Sequence, residues 1–113
     1  MFSIQFFIGG DGSAPAEDWL ESKPLNTQLK FAALFKTMGD VGKIFNEQKF
    51  KHLTGTDQRF EFKADQGRVL YFFFVGKRVI LTHGFLKKSD KTPMGEIVRA
   101  EKIKIDFSKR SSR

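Results

Sequence analysis

Residues 67–96 read GRVLYFFFVGKRVILTHGFLKKSDKTPMGE, and this stretch decides the fold. The nearly continuous apolar run Arg68–Val75 predicts a central strand that is covered on both faces. The run breaks at Gly76-Lys77, a two-residue loop with glycine first, as a type II′ turn prefers. A second apolar strand, Arg78–Leu86, returns from this turn and leads into the paired cations Lys87-Lys88. The stretch therefore predicts a hairpin that presents positive charge at one end.

A helix is predicted after the hairpin. Thr92 can cap the first amides of this helix, and Pro93 suits the first helical position. Apolar residues then recur at helical spacing and predict a stripe that packs against the sheet. This stripe consists of Ile97, Ala100, Ile103 and Phe107. The last residues, 108–113, are expected to form a frayed basic tail.

The segments before the hairpin predict one more paired strand and two helices. Gln58–Ala64 alternates apolar and polar residues, as a half-buried strand does. Leu25–Met38 predicts a helix with a core-facing stripe, and Gly39 is expected to end it as a C-cap. Ala16–Ser22 predicts a shorter helix. The junction of the two helices at Pro24 indicates an antiparallel helical hairpin.

The remaining segments complete the predicted architecture. Met1–Ile8 predicts a strand, so that residues 1–12 form an N-terminal strand and loop, and residues 53–56 predict a further loop. The fold class is then α+β, with an N-terminal helical hairpin packed on a small twisted, mainly antiparallel sheet and a C-terminal helix. A length of 113 residues fits one domain that spans residues 1–113.

The composition excludes several kinds of site. The chain has no cysteine, which excludes disulfides, thiolate zinc sites and cysteine nucleophiles. Its two histidines, His52 and His83, are too few for a multi-histidine metal site, so no metal or cofactor is expected. No apolar run approaches the roughly 18 residues that a membrane span needs. The start, MFSIQFFIGG, lacks the basic region of a signal peptide, so a soluble cytoplasmic protein is expected.

Positive charge is concentrated in the second half of the chain. Residues 1–58 hold six Lys or Arg and seven Asp or Glu, whereas residues 59–113 hold fourteen and six, for a net charge of +7 overall. Such one-sided basicity favours an anionic partner, namely nucleic acid, an acidic protein segment or a membrane surface. The alternative is a basic tail that serves only solubility.

The predicted strand pairing brings the basic residues together. If Asp65-Gln66 is the loop of the first hairpin, Lys63 lies opposite Arg68. If Val75 lies opposite Arg78 in the second hairpin, then Leu70 faces His83 and Arg68 faces Phe85. Because side chains alternate along strands, a single face of the sheet then carries the candidate site. Its members are Lys63, Arg68, His83 and Phe85, with Lys87 and Lys88 leaving the sheet at the same end.

These residue types suit the cleavage of RNA. The Arg68 guanidinium offers a rigid fork of donors for a phosphate, and Lys63 adds a second cation. His83 titrates near neutral pH and could move a proton, while Phe85 offers a ring on which a base could stack. Lys87 and Lys88 would hold the RNA backbone. The set could stabilise a pentavalent phosphate as a 2′-hydroxyl attacks it, with no metal.

Each residue also has a structural interpretation. Arg68 could pair with Glu61 or Asp65, and His83 could serve only to build the core. The paired lysines could be an ordinary solvated turn. The phenylalanines at 72–74 are expected to be core rather than a binding platform. His52 and Tyr71 are expected to be structural.

The order of elements resembles the RelE/ParE superfamily of bacterial type II toxins, in the HigB-like, phage-derived branch. That branch has an E-L-R segment, an arginine before a V/I-L-Y-F strand, an L-H-G-F-x-K-K-x-x-x-T-P segment and an I-x-x-A helix. The matching segments here are RFEFK at 59–63, GRVLYF at 67–72 and THGFLKKSDKTP at 82–93. Ile97 and Ala100 fill the last pattern, and the resemblance covers residues 15–107. Lys63 departs from the arginine of the pattern and loses its bidentate fork.

The resemblance implies a toxin of a toxin–antitoxin system that cleaves mRNA, commonly at the ribosome, and so inhibits translation and growth. It implies Lys63, Arg68 and His83 as catalytic residues and Lys87 and Lys88 as RNA ligands. It also implies silencing by an antitoxin with a helix-turn-helix domain, through which alone the toxin would reach operator DNA. Two alternatives stay open, a ParE-type toxin that targets DNA gyrase and a non-catalytic RNA-binding protein of the same fold.

Overall fold

The computed structural model describes residues 2–41, 50–52, 59–88 and 92–111. These residues form an α+β fold of three helices and a five-stranded mixed sheet. In chain order the elements are β1 (Ser3–Phe6), α1 (Pro15–Glu21), α2 (Leu25–Val41), β2 (Phe50–His52), β3 (Arg59–Ala64), β4 (Gly67–Phe74), β5 (Arg78–Leu86) and α3 (Met94–Ser111). The predicted loop at 53–56 and the predicted tail residues 112–113 lie outside the described residues.

The strands lie in the order β1-β5-β4-β3-β2. The pairs β2–β3, β3–β4 and β4–β5 are antiparallel, whereas β1 joins the far edge parallel to β5. The predicted N-terminal strand is thus part of the sheet. Since it precedes α1 and α2, the pair of helices follows the first strand of the sheet.

The sheet is covered on both faces, as the apolar run of β4 predicts. Helices α1 and α2 cover one face, where Phe31, Met38 and Tyr71 belong to the largest cluster of buried side chains. Helix α3 covers the other face, where Ala100 and Ile103 lie in two smaller clusters. The predicted stripe of α3, including Ile97 and Phe107, does pack on the sheet.

The two hairpins test the predicted register. Asp65-Gln66 is a two-residue loop, and Lys63 lies opposite Arg68 as predicted. The second turn is different, because Phe74 and not Val75 lies opposite Arg78. Its loop has three residues, and both Gly76 and Lys77 have positive φ, at 82° and 56°. A type II′ turn has only one such residue, so that prediction was wrong.

A β-bulge restores the predicted register beyond this turn. Tyr71 lies opposite Leu81 and Leu70 opposite His83, which leaves Thr82 as an extra residue on β5. Because the bulge adds one residue to β5, it cancels the one-residue offset of the longer turn. Arg68 therefore does lie opposite Phe85, as the sequence predicts.

Three predicted element ends were wrong for local reasons. Gly39 lies inside α2, where a Cβ would meet the carbonyl oxygen of Phe2 at 3.3 Å, so its small size serves packing rather than a cap. Helix α3 begins at Met94, which makes Pro93 rather than Thr92 the residue before the helix. Residues 108–111, expected in a frayed tail, are helical and continue α3.

Trp19 of α1 packs on the sheet at two glycines. A Cβ on Gly67 would lie 2.7 Å from Trp19 Cη2, and a Cβ on Gly84 would overlap the same indole more severely. The absence of side chains at these positions creates the space in which the indole sits. The indole also meets the Phe31 ring edge-on at 5.7 Å, which links α1, α2 and the sheet. Within the described residues, no helix is both long and apolar enough to cross a membrane.

Gly84→Ala should destabilise the protein by about 1–3 kcal/mol, because its Cβ needs space that the indole of Trp19 fills. Gly95→Ala is the matched control. Gly95 lies in α3 with no atom near its would-be Cβ, so alanine should stabilise the helix by about 0.5–1 kcal/mol. Urea unfolding of both variants measures the difference. Equal effects of the two substitutions would contradict the packing argument.

Candidate functional site

Three of the predicted basic residues lie at one end of the sheet. Lys63 and Arg68 are paired across β3 and β4 beside the Asp65-Gln66 turn. The amide of Lys87 donates to the carbonyl of Gln66 at 2.8 Å, which extends β5 alongside the same turn. The short loop and the antiparallel register thus place three positive side chains at one edge.

A buried carboxylate lies among these cations. Glu61 has no exposed surface, and its Oε2 lies 3.5 Å from Arg68 Nε and 3.8 Å from Lys87 Nζ. The hydroxyl of Thr92 donates to the other oxygen, Oε1, at 2.8 Å. One negative charge therefore compensates two positive ones that would otherwise repel each other across the sheet. Sequence analysis considered Glu61 only as a partner that would make Arg68 structural, and it missed the role of Thr92.

The Arg68 side chain is held in a fixed orientation. Its Nη1 donates to the carbonyl oxygens of Gly67 at 2.8 Å and Asp65 at 3.2 Å, while Nε faces Glu61. The side chain is 14% exposed, so part of it reaches the surface. Such an arginine is preorganised, because little conformational entropy remains to be lost when an anion binds.

A groove opens next to Arg68, between α2 and the β3–β4 hairpin, with a volume of about 630 Å³. Lys30, Ala33, Leu34 and Thr37 line it on the α2 side. Lys63, Ala64, Asp65 and Arg68 line it on the hairpin side. The volume is typical of a small-ligand site, and the lining carries three cations against one carboxylate.

His83 lies in the interior under α3. It has no exposed surface, and its Nε2 lies 2.9 Å from Glu96 Oε1. Its Nδ1 lies 3.2 Å from the hydroxyl of Thr82, which also lies 3.0 Å from the carbonyl of Leu70. Burial, together with the charge of Arg99, lowers the pKa of His83 to about 4, although Glu96 partly opposes the shift. At neutral pH the ring is therefore neutral, and its N–H can donate to Glu96.

The other predicted site residues differ in their exposure. Phe85 is buried among Leu70, Ala100 and Ile97, and its ring lies 5.9 Å from that of His83. Lys87 is largely buried beside Glu61, whereas Lys88 is exposed. The structure thus gathers Arg68 and Lys87 around one carboxylate, with Lys63 paired to Arg68 across the strands. It separates Phe85 and His83 from solvent. A stacking role for Phe85 and a proton-transfer role for His83 stay predictions that require α3 to move.

The arrangement can bind an anion at the edge of the groove. Arg68 and Lys63 present positive charge there, and Glu61 fixes the position of Arg68 from behind. Among the described residues, no cluster of three or more His, Asp or Glu side chains could hold a metal ion. The chemistry that these residues themselves support is the electrostatic stabilisation of a phosphate.

A known protein family matches the part of the chain that contains the segments from which the fold was predicted. The chain belongs to the family of phage-derived Gp49-like proteins (DUF891), whose model matches residues 18–104. The match includes the whole of the Glu61, Arg68 and Lys87 cluster. No curated protein gives a significant match to the chain.

Glu61→Gln should destabilise the fold by about 3 kcal/mol or more, because Arg68 and Lys87 would lose the negative charge buried between them. Glu21→Gln is the control, since Glu21 is exposed and its change should stay within about 0.5 kcal/mol. Urea denaturation of both variants gives the comparison. If the two variants unfold at the same urea concentration, Glu61 does not hold the cluster together.

Acid should destabilise the protein through His83. Because the folded pKa of about 4 lies below the ordinary 6.5, the unfolded chain binds more protons between these values. Stability should therefore fall by up to about 3 kcal/mol as the pH drops from 6.5 to 4. His83→Gln should remove this part of the pH dependence. Urea unfolding at several pH values measures both slopes, and identical slopes would count against a buried neutral His83.

Proposed function

We propose that this protein is a RelE-like toxin that cleaves mRNA in the cytoplasm, at the ribosome and without a metal ion. The observation that carries the proposal is that Lys63 and Arg68 lie at an open groove, while Lys87 approaches Glu61, the carboxylate that positions Arg68. A phage-derived Gp49-like family agrees with a toxin of this kind. The α+β architecture, with α1 and α2 on one face of the sheet and α3 on the other, provides the rigid frame.

In the proposed reaction, Arg68 binds the scissile phosphate and stabilises the charge that develops on it. The 2′-oxygen of the preceding ribose forms a bond to phosphorus, and the bond from phosphorus to the 5′-oxygen breaks. The products are a 2′,3′-cyclic phosphate and a 5′-hydroxyl end. Protons leave to and return from water, since Lys63 and Arg68 supply charge rather than a base. Lys87 contributes indirectly to the positive charge at the phosphate, because its own charge prevents Glu61 from fully neutralising Arg68.

A second candidate function, RNA binding without cleavage, is favoured by one observation. His83, the residue predicted to carry the proton, is enclosed by α3 and hydrogen-bonded to Glu96. Since no imidazole is among the described residues that line the groove, the same cations would bind RNA but cleave it slowly or not at all. Discrete cleavage products, in reactions with translating ribosomes, distinguish the toxin from the binding protein.

The proposed partners follow from the same toxin interpretation. An antitoxin with a helix-turn-helix domain would silence the protein and bring it to operator DNA. A small reading frame of this kind beside the gene would support the pair, and its co-expression should restore growth. Mapping of mRNA ends after brief induction also tests the gyrase alternative, which predicts a DNA-damage response and no new ends.

Arg68→Lys should lower the rate of RNA cleavage by about 100-fold, because the charge is kept but the rigid fork of donors is lost. Lysine also keeps a cation beside Glu61, so the fold should survive, which alanine would endanger. Arg78→Lys is the matched control, since Arg78 lies at the opposite end of the β4–β5 hairpin.

The assay counts new RNA ends per ribosome and identifies the cyclic phosphate chemically. Equal cleavage by the Arg68 and Arg78 variants would show that the assigned site is wrong.

A further inference from the structure

The groove contains a cation that the sequence did not single out. Lys30 lies on α2, which forms one wall of the groove, and Lys63 and Arg68 line the other wall. Its Nζ forms an ion pair with Asp65 Oδ1 at 2.5 Å. Asp65 is the only acidic residue among the described residues that line the groove.

Asp65 is held at this position by the turn and by α2. It has a positive φ of 55° in the two-residue loop, and the hydroxyl of Thr27 donates to its Oδ2 at 3.0 Å. The hydrogen bond from Lys30, followed by that from Thr27, lowers the pKa of Asp65. The carboxylate is therefore charged at neutral pH and lies against a lysine at the groove wall.

We propose that the groove binds a nucleotide of single-stranded RNA next to the phosphate held by Arg68. Lys30 binds the adjacent phosphate. In the absence of RNA, Asp65 forms an ion pair with Lys30 in place of that phosphate. This inference rests on the proposed function, because it extends the strand that Arg68 binds. It adds a binding residue, Lys30, and an internal competitor, Asp65.

The shape and lining of the groove fit a nucleotide. Its volume of about 630 Å³ lies within the usual range of small-ligand sites. Ala33, Leu34 and Ala64 give it small apolar surfaces that a ribose or base can contact, while the cations lie on both walls. A single strand is favoured over a duplex, since the groove is a local cavity beside one helix and one hairpin.

The exchange of Asp65 for a phosphate costs little. Lys30 and Asp65 are 50% and 42% exposed, so their ion pair is screened by solvent and contributes little to stability. A phosphate offers the same charge to Lys30, and the neighbouring phosphate of the same strand interacts with Lys63 and Arg68. Asp65, in contrast, places a negative charge where the RNA backbone would lie.

Two substitutions that break the same ion pair distinguish this proposal from a purely structural pair. Lys30→Ala should weaken RNA binding by about fivefold, because one phosphate contact is lost. Asp65→Asn should strengthen binding by a similar factor, because it removes the competing charge, and asparagine tolerates the positive φ. A structural ion pair predicts that both substitutions change binding in the same direction.

Lys36→Ala is the matched control. Lys36 is also an exposed lysine of α2 paired with an aspartate, Asp40, at 2.8 Å, but it does not line the groove. Its substitution should leave RNA binding unchanged. The probe is a short fluorescent 2′-O-methyl oligoribonucleotide, which keeps the phosphates but cannot be cleaved by 2′-oxygen attack. Titration at several salt concentrations should give a slope that is lower by about 0.7 for Lys30→Ala alone.

The outcomes separate the two proposals. Opposite effects of Lys30→Ala and Asp65→Asn, with Lys36→Ala unchanged, support the groove. Three outcomes would overturn it. RNA affinity could be the same for Lys30→Ala and Lys36→Ala, or Lys30→Ala and Asp65→Asn could change the affinity in the same direction. The third outcome is that the wild type does not bind the oligonucleotide at low salt. Cleavage at translating ribosomes is measured separately. If the wild type binds RNA through Lys30 but yields no new RNA ends, the proposed RNA site in the groove is retained and the proposed nuclease activity is wrong.

Discussion

The buried charge of Glu61 is the interaction on which the basic end of this protein depends. Arg68 and Lys87 approach the same carboxylate oxygen, and Thr92 binds the other. Without a negative charge there, an antiparallel pairing that brings cations side by side would be costly. Because removal of one partner from a buried ion pair leaves an uncompensated charge, these residues act as one unit. The same contact ties β3, β4 and the end of β5 to the start of α3.

Helix α3 divides the predicted site into an interior and an exterior part. His83 and Phe85 share a sheet face with Arg68, yet α3 covers them with Ala100, Ile97 and Glu96. Lys63 and Arg68 lie beyond the helix, at the groove. The face that would bind an anion therefore also carries part of the hydrophobic core. Arg68 is therefore partly buried beside Glu61 and partly exposed where it lines the groove.

The register of the central hairpin shows how much of the strand pairing the local sequence can predict. The sequence correctly predicts Leu70 opposite His83 and Arg68 opposite Phe85, although the turn was predicted with the wrong length. The bulge at Thr82 compensates for the longer loop. Its hydroxyl lies near both the Leu70 carbonyl and His83 Nδ1, contacts that form only across strands. The local pattern of an apolar strand does not predict the position of such an extra residue.

The sequence by itself determined the central elements of this protein and the concentration of its charge. Apolar periodicity and turn residues place β3, β4, β5 and the stripe of α3, because side-chain spacing is a local property. Only the tertiary structure decided which cations are exposed. Burial of Glu61, closure of α3 over His83 and the approach of Lys30 to Asp65 are contacts between residues far apart in the chain. Their distances depend on packing, which composition and local pattern leave open.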